Sequence, residues 1–512
     1  MYLRSEGVTV DLFFRLYQNL KHNFWLNFLN DVSIFIFKTA QMNTSLIINN
    51  DLVETQNYTD ALSPQDRSLL AKVAVATTDQ VDLAFNAAKN AFPAWKNLPA
   101  HERMYKMELI ANEILRRKDE LAQSLCAEIA KPLRDSIKEV ERSAEYLLFT
   151  TQAFRNIEGR VITGDKMPGY NLFQKTGIVT YEPMGVILAI SPFNYPINLA
   201  ITKIAPALVT GNTMIFKPAS AGAATAFILS QIISNLLPPG VFNFISGKSS
   251  EIGDYLLTHP DLSMTAFTGS TSVGRHIQKV SSVPLYLEMG GKDAAIILAD
   301  ADLEMAASEI IKGGFSYSAQ RCTAVKRIIL HDDVADEFIS LLKDKISKLT
   351  LGRAEENADI TSLIDSKTTE YVIDLISDAR EKGAQILTGG NKKNGIIVPT
   401  LCDYVTKEMR LYTEEPFGPV LPIIRIKSVE DALEKANDSK YGLQADIFTQ
   451  NINTAFYIAN NLNAGTVQIN GKSDRGPDNF PFPGIKDSGM GVAGIRDALY
   501  SMMRIKMIVV NS

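Results

Sequence analysis

The feature that most restricts the fold is a regular alternation of short β-branched runs with apolar segments of helical periodicity. Three such runs come early in the chain, at residues 185–190, 212–216 and 241–245. A second series follows, at residues 294–298, 327–330, 420–426 and 466–470. Strands that alternate with helices form mostly parallel sheets that are covered on both faces. The sequence therefore predicts an α/β protein.

Two other regions complete the predicted architecture. From residue 80 to about 150, apolar residues recur at three- and four-residue steps, which predicts helices. Residues 175–181 and 504–510 are predicted to be lone strands outside either sheet, which would suit pairing across a subunit interface. A chain of 512 residues is too long for one ordinary domain, so we expect two or three packed units.

Composition excludes several classes of protein. The chain is 46% hydrophobic and 21% charged, and 52 Lys and Arg against 57 Asp and Glu leave a net charge of −5. Because no basic stripe is present, nucleic acid is not an expected partner. The 3 cysteines form no CxxC motif, which argues against a disulfide framework or a structural zinc site. We expect a reducing compartment, the cytoplasm.

The first 41 residues are aromatic-rich and precede Met42. We expect residues 1–41 to be an artefactual or dispensable extension, with Met42 as the start of the functional chain. The alternative is a membrane-surface anchor, because apolar side chains at residues 13–20 have helical spacing. No run reaches the roughly 18–20 apolar residues that a membrane span needs, so no membrane-spanning segment is expected.

Several catalytic patterns fail on their spacing. The GxGxxG at residues 489–494 follows a Pro/Gly loop rather than a strand, and Gly247-Lys248-Ser249 lacks the upstream glycine of a P-loop. The chain contains no HExxH or GxSxG, and none of its 5 histidines has metal-ligand spacing. We therefore expect neither a metal centre nor a serine hydrolase.

A cysteine is the best candidate for covalent chemistry. Cys322 follows a glycine-rich approach, Gly313-Gly314, and lies next to Arg321. The glycines would let a ligand approach the backbone, and the cation and a predicted helix start would lower the pKa of the thiol. A lone cysteine is more often inert packing, so the residues alone leave both interpretations open.

Two polar side chains stand at predicted strand ends. Glu288 ends an apolar strand, where partial desolvation would suit it to accept a proton from water, although it could also simply face solvent. Asn194 lies in a Pro-bracketed turn, where its carboxamide could stabilise a developing oxyanion. The alternative for Asn194 is an Asx turn.

Two more segments carry features of ligand binding. Lys217 ends a strand, and ligands of open α/β sheets bind outside the carboxyl ends of strands. Residues 267–274 (FTGSTSVG) open a helix whose N–H groups could hold a pyrophosphate.

Taken together and in this order, these segments resemble the aldehyde dehydrogenase family from about residue 50 to the C-terminus. The matching segments are PFNYP at 192–196, Lys217-Pro218, FTGSTSVG at 267–274, LEMGGK at 287–292, AQRC at 319–322 and EEPFGP at 414–419. The resemblance implies an aldehyde dehydrogenase-like α/β fold with a Rossmann-type cofactor domain, an α/β catalytic domain and a small β oligomerisation arm. The resemblance also implies that the protein is a homotetramer.

The resemblance also implies domain boundaries. We expect the cofactor domain at residues 42–157 and 183–289, the catalytic domain at 290–487, and the arm at 158–182 and 488–512.

In that family the residue matching Cys322 is the nucleophile, the one matching Glu288 is the general base, and the one matching Asn194 forms the oxyanion hole with the cysteine N–H. The residues implied for the cofactor are Lys217, Ser220, Gly269, Ser270, Glu415 and Phe417. A CoA-acylating relative is disfavoured because Glu288 makes water the acceptor. A non-catalytic protein on the same fold is disfavoured because nucleophile and base are both present.

One departure from the family pattern predicts the cofactor. NAD-preferring members usually carry a glutamate three residues after the lysine, where its charge would oppose a 2′-phosphate. Ser220 occupies that position here, so we expect NADP. The alternative is that Ser220 is only a loop residue.

Four donors, Arg142, Tyr195, Arg321 and Arg475, could surround an acidic group of the substrate, and arginine suits phosphate because of its planar fork of donors. The implied substrate residues are Arg142, Tyr195, Arg321, Thr323 and Arg475. Residues 468–489, with EEPFGPVLPIIRI at 414–426 and AQRCTAVKR at 319–327, resemble the non-phosphorylating glyceraldehyde-3-phosphate dehydrogenases, which implies a phosphorylated aldehyde as substrate. The alternatives are another acidic aldehyde, such as succinate semialdehyde, and for Arg142 a solvated helix face.

Overall fold

The computed structural model describes residues 42–172 and 174–511. The extension expected at residues 1–41, with its anchor alternative, lies outside the described residues. Two large, mainly parallel sheets are each flanked by helices, which confirms the predicted α/β class. The strands predicted before Gly290 lie in one of these sheets, and the strands predicted after it lie in the other.

The first sheet has eight strands. Their spatial order is Gly489–Met490, Leu285–Glu288, Leu262–Thr268, Val186–Ile190, Thr213–Lys217, Phe242–Phe244, Leu46–Ile48 and Asp51–Val53. Helices that pack on its strands are Thr78–Asn97, Asn198–Val209, Ala223–Leu236, Ser249–Thr258 and Thr271–Val280. An outer helical layer consists of Ala100–Arg116, Lys118–Ile129 and Leu133–Phe154, as the periodicity predicted. The central strands are buried on both faces, which explains their nearly uninterrupted apolar sequences.

The second sheet has seven strands. Their order is Gln385–Thr388, Thr400–Asp403, Val420–Ile426, Val325–His331, Asp293–Ile297, Gln444–Phe448 and Thr466–Ile469. The helices of this part of the chain are Leu303–Phe315, Ala335–Ser347, Ser366–Glu381, Arg410–Thr413, Val429–Asn437 and Ile452–Asn461. Short elements complete the chain, among them a three-stranded sheet of Met42–Asn43, Leu69–Ala74 and Tyr58–Leu62, and the helix Ile495–Ser501.

A third sheet corrects one prediction. Lys175–Pro183 and Met503–Asn511 are not lone strands, because they pair with each other antiparallel along their whole length. Arg160–Thr163 pairs with the other edge of Lys175–Pro183. The two long strands lie more than three hundred residues apart in the chain, so no local pattern could indicate that they are partners.

Parallel pairing brings the predicted site residues to one edge of the first sheet. Lys217 lies opposite Ile190, and Glu288 lies opposite Thr268, at the carboxyl ends of their strands. Gly489–Met490 pairs with Leu285–Glu288, so this sheet includes residues from the predicted arm. The division into domains stays a prediction. Within the described ranges, no helix has the length and apolar character that crossing a bilayer demands.

Candidate active site

A cleft of about 720 Å³ opens over the carboxyl edge of the eight-stranded sheet. Its walls bring together residues from both halves of the chain, which lie far apart in sequence. Predicted site residues that line the cleft are Asn194, Lys217, Gly269, Ser270, Cys322, Glu415 and Phe417. A cleft at this position in an open parallel sheet is where ligands of such folds bind.

Beside the cleft, three side chains form consecutive contacts: Cys322 with Glu288, and Glu288 with Arg475. The Cys322 sulfur lies 3.4 Å from Oε1 of Glu288. The other carboxylate oxygen of Glu288 accepts a hydrogen bond from Nη1 of Arg475 at 2.6 Å. The Glu288 and Arg475 side chains are only 5% and 11% exposed, so the ion pair is screened little by solvent. The carboxylate and the guanidinium are therefore buried directly behind the half-buried thiol, which itself lines the cleft.

The environment of Cys322 differs from the predicted one. Burial raises the pKa of the thiol, and the negative charge of Glu288 raises that pKa further. Lys326 and Arg475 act in the opposite direction, whereas the neighbouring Arg321 donates to the carbonyl of Gly313. No helix begins at Cys322 in the described chain, since the residue lies in a turn before Val325–His331. The prediction of a lowered thiol pKa was therefore wrong.

The backbone before Cys322 is held in an unusual conformation. Tyr317, Ser318 and Ala319 have φ values of 51°, 52° and 60°, in the left-handed region that non-glycine residues rarely adopt. Each such residue costs about 1 kcal/mol or more, so the surrounding structure must impose this path. Hydrogen bonds from Tyr317 to the Ile129 carbonyl and from the Thr361 N–H to Ser318 contribute to it.

The glycines before this turn have a different role from the one predicted. Gly313 and Gly314 lie inside the helix Leu303–Phe315. A Cβ atom at Gly313 would lie 2.9 Å from Val325, and one at Gly314 would lie 2.8 Å from Leu421. These glycines therefore allow the helix to pack closely on the second sheet, and the prediction that they admit a ligand was wrong.

Asn194 is held from two sides. Its side-chain amide donates to the Gln320 carbonyl at 2.9 Å, which places it beside the Cys322 turn. Its own carbonyl accepts a hydrogen bond from Lys131 at 3.0 Å. Lys131 is buried, forms an ion pair with Glu139, and lies 3.3 Å from the centroid of the Tyr195 ring. This segment is a fixed part of the pocket rather than only an Asx turn.

Glu139 completes this network. Its Oε1 accepts the N–H groups of Ile197 and Asn198, each at 3.0 Å, at the start of the helix Asn198–Val209. A carboxylate at a helix N-terminus satisfies free donors there and complements the helix dipole. Lys131 and Glu139 thus fix both ends of the segment that carries Asn194 and Tyr195.

One wall of the cleft is built around Lys217. Burial lowers the pKa of Lys217 to about 8, and its ammonium donates to the Ser249 hydroxyl at 3.2 Å. Ser220 lies exposed, next to Ala219, which lines the cleft. Ser249 starts the helix Ser249–Thr258 and lines the cleft as well. The Gly-Lys-Ser segment that fails as a P-loop therefore still contributes to this wall.

The opposite wall carries Glu415 and Phe417. Oε1 of Glu415 accepts the Gly291 N–H at 3.2 Å and lies 3.0 Å from the Lys326 ammonium. A Cβ atom at Gly290 would meet the Glu415 carboxylate, so a larger residue there would displace this carboxylate from its present position. The Phe417 ring meets Phe193 edge to face, with centroids 5.8 Å apart.

The implied substrate donors do not all point at one spot. Arg142 forms a bidentate ion pair with Asp478 at 2.8 and 2.9 Å, and it also donates to the Arg475 carbonyl. Arg321 is buried, and its Nε has no hydrogen-bond partner in the part of the chain that the structure describes. Tyr195 lies beneath Lys131, and Thr323 is buried beside Cys322.

Sequence reasoning missed several buried lysines of the site. Lys203 donates to the Thr268 hydroxyl at 2.7 Å. Burial lowers the pKa of Lys203 to about 7, although the negative charge of Glu288 acts in the opposite direction. Lys203 is the only charged residue of a 12-residue, otherwise uncharged helix, and this signal could have revealed it. Lys131 and Lys326 lie in segments that contain other charged residues as well as apolar ones, so their surroundings in the sequence gave no such signal.

Among residues 42–172 and 174–511, no three His, Cys, Asp or Glu side chains are grouped so that they could hold an ion. The functional groups at and beside the cleft are a thiol, carboxylates, an amide and several cations.

Comparison with known proteins agrees with this geometry. The model of the aldehyde dehydrogenase family matches residues 52–508. The NADP-dependent glyceraldehyde-3-phosphate dehydrogenase of Streptococcus equinus is 45% identical over 449 residues, which cover 87% of this chain and 94% of that protein. The enzyme of the same name from Arabidopsis thaliana is 42% identical over 88% of this chain and 91% of its own length.

A solved structure is similar over the same region. The NADP-dependent glyceraldehyde-3-phosphate dehydrogenase of Bacillus halodurans C-125, complexed with NADP, superposes with a TM-score of 0.91 at 43% identity. The match covers 92% of this chain and 100% of that one. The matched region, the two-sheet fold and the thiol–carboxylate pair lead to one conclusion: the chain belongs to the aldehyde dehydrogenase family.

Proposed function

We propose that this protein oxidises D-glyceraldehyde 3-phosphate to 3-phosphoglycerate with NADP, through a cysteine thioester that water hydrolyses. The observation that carries the proposal is the series Cys322, Glu288 and Arg475, which joins a nucleophile, a base and a phosphate-binding cation in one pocket. Relatives at 41–45% identity that bear the name NADP-dependent glyceraldehyde-3-phosphate dehydrogenase support the substrate and the cofactor.

Cys322 attacks the aldehyde carbon in this mechanism. Because the pKa of the thiol is raised, attack requires a base to take its proton, and Glu288 lies 3.4 Å from the sulfur. The amide of Asn194 and the N–H of Cys322 stabilise the resulting oxyanion, for which Asn194 exchanges its bond to the Gln320 carbonyl. Glu288 releases that proton to solvent before it deprotonates the water that hydrolyses the thioester.

The cleft fits a dinucleotide. Its volume and position suit a ligand of that size, and Gly269 and Ser270 precede the helix Thr271–Val280, where free N–H groups can bind pyrophosphate. Lys217 and Glu415 would hold ribose hydroxyls, and Phe417 would flank the nicotinamide. When bound, NADP supplies the hydride acceptor that turns the thiohemiacetal into the thioester. Ser220, a neutral residue, leaves room for the 2′-phosphate.

The phosphate of the substrate would lie among the cations at the inner end of the pocket. We assign this role to the guanidinium groups of Arg475, Arg142 and Arg321, with Tyr195 and Thr323. Arg142 and Arg475 would first exchange their ion pairs with Asp478 and Glu288. The unpartnered Nε of buried Arg321, among the described residues, is a donor that a ligand could satisfy.

The deciding test is NADPH formation from glyceraldehyde 3-phosphate in buffer without inorganic phosphate or arsenate. We expect stoichiometric NADPH and 3-phosphoglycerate, with slower turnover of succinate semialdehyde and with NAD. Preference for succinate semialdehyde, or a requirement for phosphate, would contradict the proposal.

We further propose a cytoplasmic homotetramer. The strand Met503–Asn511 is exposed along almost its whole length and carries apolar side chains, among them Ile505, Met507 and Val509. Long apolar edges of this kind usually pair with another chain. Three free cysteines fit a reducing compartment. Sedimentation of the purified protein, with Met507→Glu as the disrupting variant, tests the assembly.

A further inference from the structure

The segment that carries Glu415 and Phe417 is supported from the side that faces away from the cleft. Glu415 and Phe417 line the cleft. The side chain of Glu414 instead contacts Tyr371, on the helix Ser366–Glu381. The Tyr371 hydroxyl donates to Oε2 of Glu414 at 2.9 Å and to the main-chain carbonyl of Glu415 at 3.3 Å. A phenol has one proton, so the two acceptors share it in a three-centre hydrogen bond.

The same helix contacts the segment again on the other side of Phe417. A Cβ atom at Gly418 would lie 2.8 Å from Cγ2 of Val372, so the helix packs directly against the backbone there. Phe417 has a φ of 48°, in the left-handed region that non-glycine residues rarely adopt. Such a conformation persists only where the surrounding structure imposes it. Two neighbouring residues of one helix, in contact with the segment on either side of Phe417, contribute to this restraint.

Two cations complete the support of Glu414. Arg410 donates from Nε to Oε1 of Glu414 at 2.9 Å and from Nη2 to Oε2 at 3.2 Å. The ammonium of Lys292 donates to the main-chain carbonyl of Glu414 at 2.6 Å. The hydrogen bond from Arg410 lowers the pKa of Glu414, so the carboxylate stays ionised and remains an acceptor for Tyr371. Tyr371 is the member of this group that also reaches the carbonyl of Glu415.

We propose that Tyr371 is a positioning residue for the cofactor, which holds Glu415 and Phe417 in the orientation that binds the nicotinamide half of NADP. This inference rests on the proposed function and deepens it. Tyr371 acts through the main chain, since its hydroxyl is directed at Glu414 and Glu415. Without this hydroxyl the Glu415 carbonyl is free to move, and Phe417 can leave both its left-handed conformation and its contact with Phe193.

The two halves of NADP would bind to different walls of the cleft. Lys217 lines the wall assigned to the adenosine half, and Ser220 follows it in sequence. Glu415 and Phe417 line the wall assigned to the nicotinamide half. Adenosine 2′,5′-bisphosphate lacks the nicotinamide and its ribose. A change confined to the second wall should therefore alter the affinity for NADP and leave the affinity for the bisphosphate unchanged.

The test is calorimetric titration of the intact protein with NADP and, separately, with adenosine 2′,5′-bisphosphate. Tyr371→Phe removes the hydroxyl and keeps the ring, so the packing of the helix should be retained. We expect the Kd for NADP to rise about threefold to tenfold, which corresponds to the net loss of one hydrogen bond. The Kd for adenosine 2′,5′-bisphosphate should equal that of the wild type.

Tyr412→Phe is the matched control. The Tyr412 hydroxyl also donates to a carboxylate, that of Asp438, at 3.2 Å. Tyr412 lies in the helix Arg410–Thr413, directly before the same segment, but Asp438 follows the helix Val429–Asn437. The variant therefore loses a comparable hydrogen bond without a change at the Glu415 carbonyl. Its Kd values for both ligands should match those of the wild type.

Phe417→Ala tests separately whether the nicotinamide half lies at the proposed wall. It should weaken NADP binding at least as much as Tyr371→Phe does, again without an effect on the bisphosphate. If Phe417→Ala weakens NADP binding and Tyr371→Phe leaves it unchanged, only the inference on Tyr371 is wrong. Unchanged NADP binding by Phe417→Ala would refute the proposed position of the nicotinamide and the inference with it. An equal loss of both ligands in Tyr371→Phe would indicate general support of the fold, which would also overturn the inference.

Discussion

The ammonium group of Lys326 lies 3.0 Å from Oε1 of Glu415 and also donates a hydrogen bond to the main-chain carbonyl of Cys322. The same carboxylate oxygen accepts the Gly291 N–H, three residues after Glu288. One buried lysine thus connects the turn of the predicted nucleophile with the residue proposed to hold the cofactor ribose.

Replacement of Lys326 by Met should affect both partners. Its charge lowers the pKa of the Cys322 thiol, so the variant should alkylate with iodoacetamide at higher pH than the wild type. Loss of the ion pair should weaken NADP binding about tenfold, measured by fluorescence titration. Lys435→Met is the control, since Lys435 pairs with a carbonyl and with Asp431 away from the cleft. Identical alkylation profiles in both variants would contradict the prediction.

Substitutions of Cys322 and Glu288 test the two chemical steps of the proposed mechanism, formation and hydrolysis of the thioester. Cys322→Ser should reduce aldehyde oxidation by about 10³-fold or more while NADP still binds, because the hydroxyl is a far weaker nucleophile. Glu288→Gln keeps the size of the side chain but removes the base. It should slow formation of the thioester, because the thiol loses its base, and also slow hydrolysis of the thioester that still forms, which mass spectrometry of the acylated peptide detects. Undiminished steady-state turnover in either variant would disprove the mechanism.

Cofactor preference should depend on charge at residue 220. Ser220→Glu places a carboxylate where it opposes the 2′-phosphate, and repulsion of about 1–3 kcal/mol predicts a roughly 5- to 150-fold loss of kcat/KM with NADP. Turnover with NAD should change little. Ser220→Gln has the same size without the charge, so it should resemble the wild type. An equal loss with both cofactors would indicate a steric effect instead.

NADP affinity should fall as the pH rises through about 8. The pKa of Lys217 is lowered to about 8 by burial, and the anionic cofactor binds the protonated lysine more tightly. Deprotonation above that pH removes the charge, so the Kd for NADP rises between pH 7 and 9. Lys217→Arg stays charged over this range, and its Kd should be nearly constant. Parallel pH profiles for the two proteins would exclude Lys217 as the titrating group.

The buried pair Lys131 and Glu139 should matter for stability. Lys131→Met leaves an unpaired carboxylate in a dry site, which should lower the free energy of unfolding by about 3–5 kcal/mol. The shift of the urea midpoint measures this loss. Lys348→Met removes an exposed partner of Asp344 and should leave the midpoint unchanged. Equal midpoints for both variants would show that the buried pair contributes little.

Much of the fold could be predicted from the sequence because its signals are local. The strand predicted at residues 420–426 is present as Val420–Ile426, and the early helices follow the apolar periodicity. Lys217 and Glu288 were each predicted at the end of a strand, and the strand pairing brings them to one edge of the first sheet. The pairing of Lys175–Pro183 with Met503–Asn511 could be expected only from the family resemblance, which puts both segments in one arm, because strand pairing at long range leaves no pattern within either segment.

The candidate site, too, could be predicted only in part. The residue types Cys322, Glu288 and Asn194, each in its own short motif, indicate the chemistry without a structure. The lowered thiol pKa was inferred from Arg321, a sequence neighbour, but the side chains that set the electrostatics around the sulfur come from elsewhere: Glu288, Lys326 and Arg475. Adjacency in sequence does not imply that two side chains face each other.

By itself, the sequence determined the α/β class, the family and the groups able to react, because periodicity and short motifs depend on neighbouring residues. Only the tertiary structure decided that Arg475 meets Glu288, 187 residues away, and that Lys326 joins Cys322 to Glu415. Such contacts arise when two sheets and their connecting turns pack against each other. The charges that a buried group experiences depend on that packing in space.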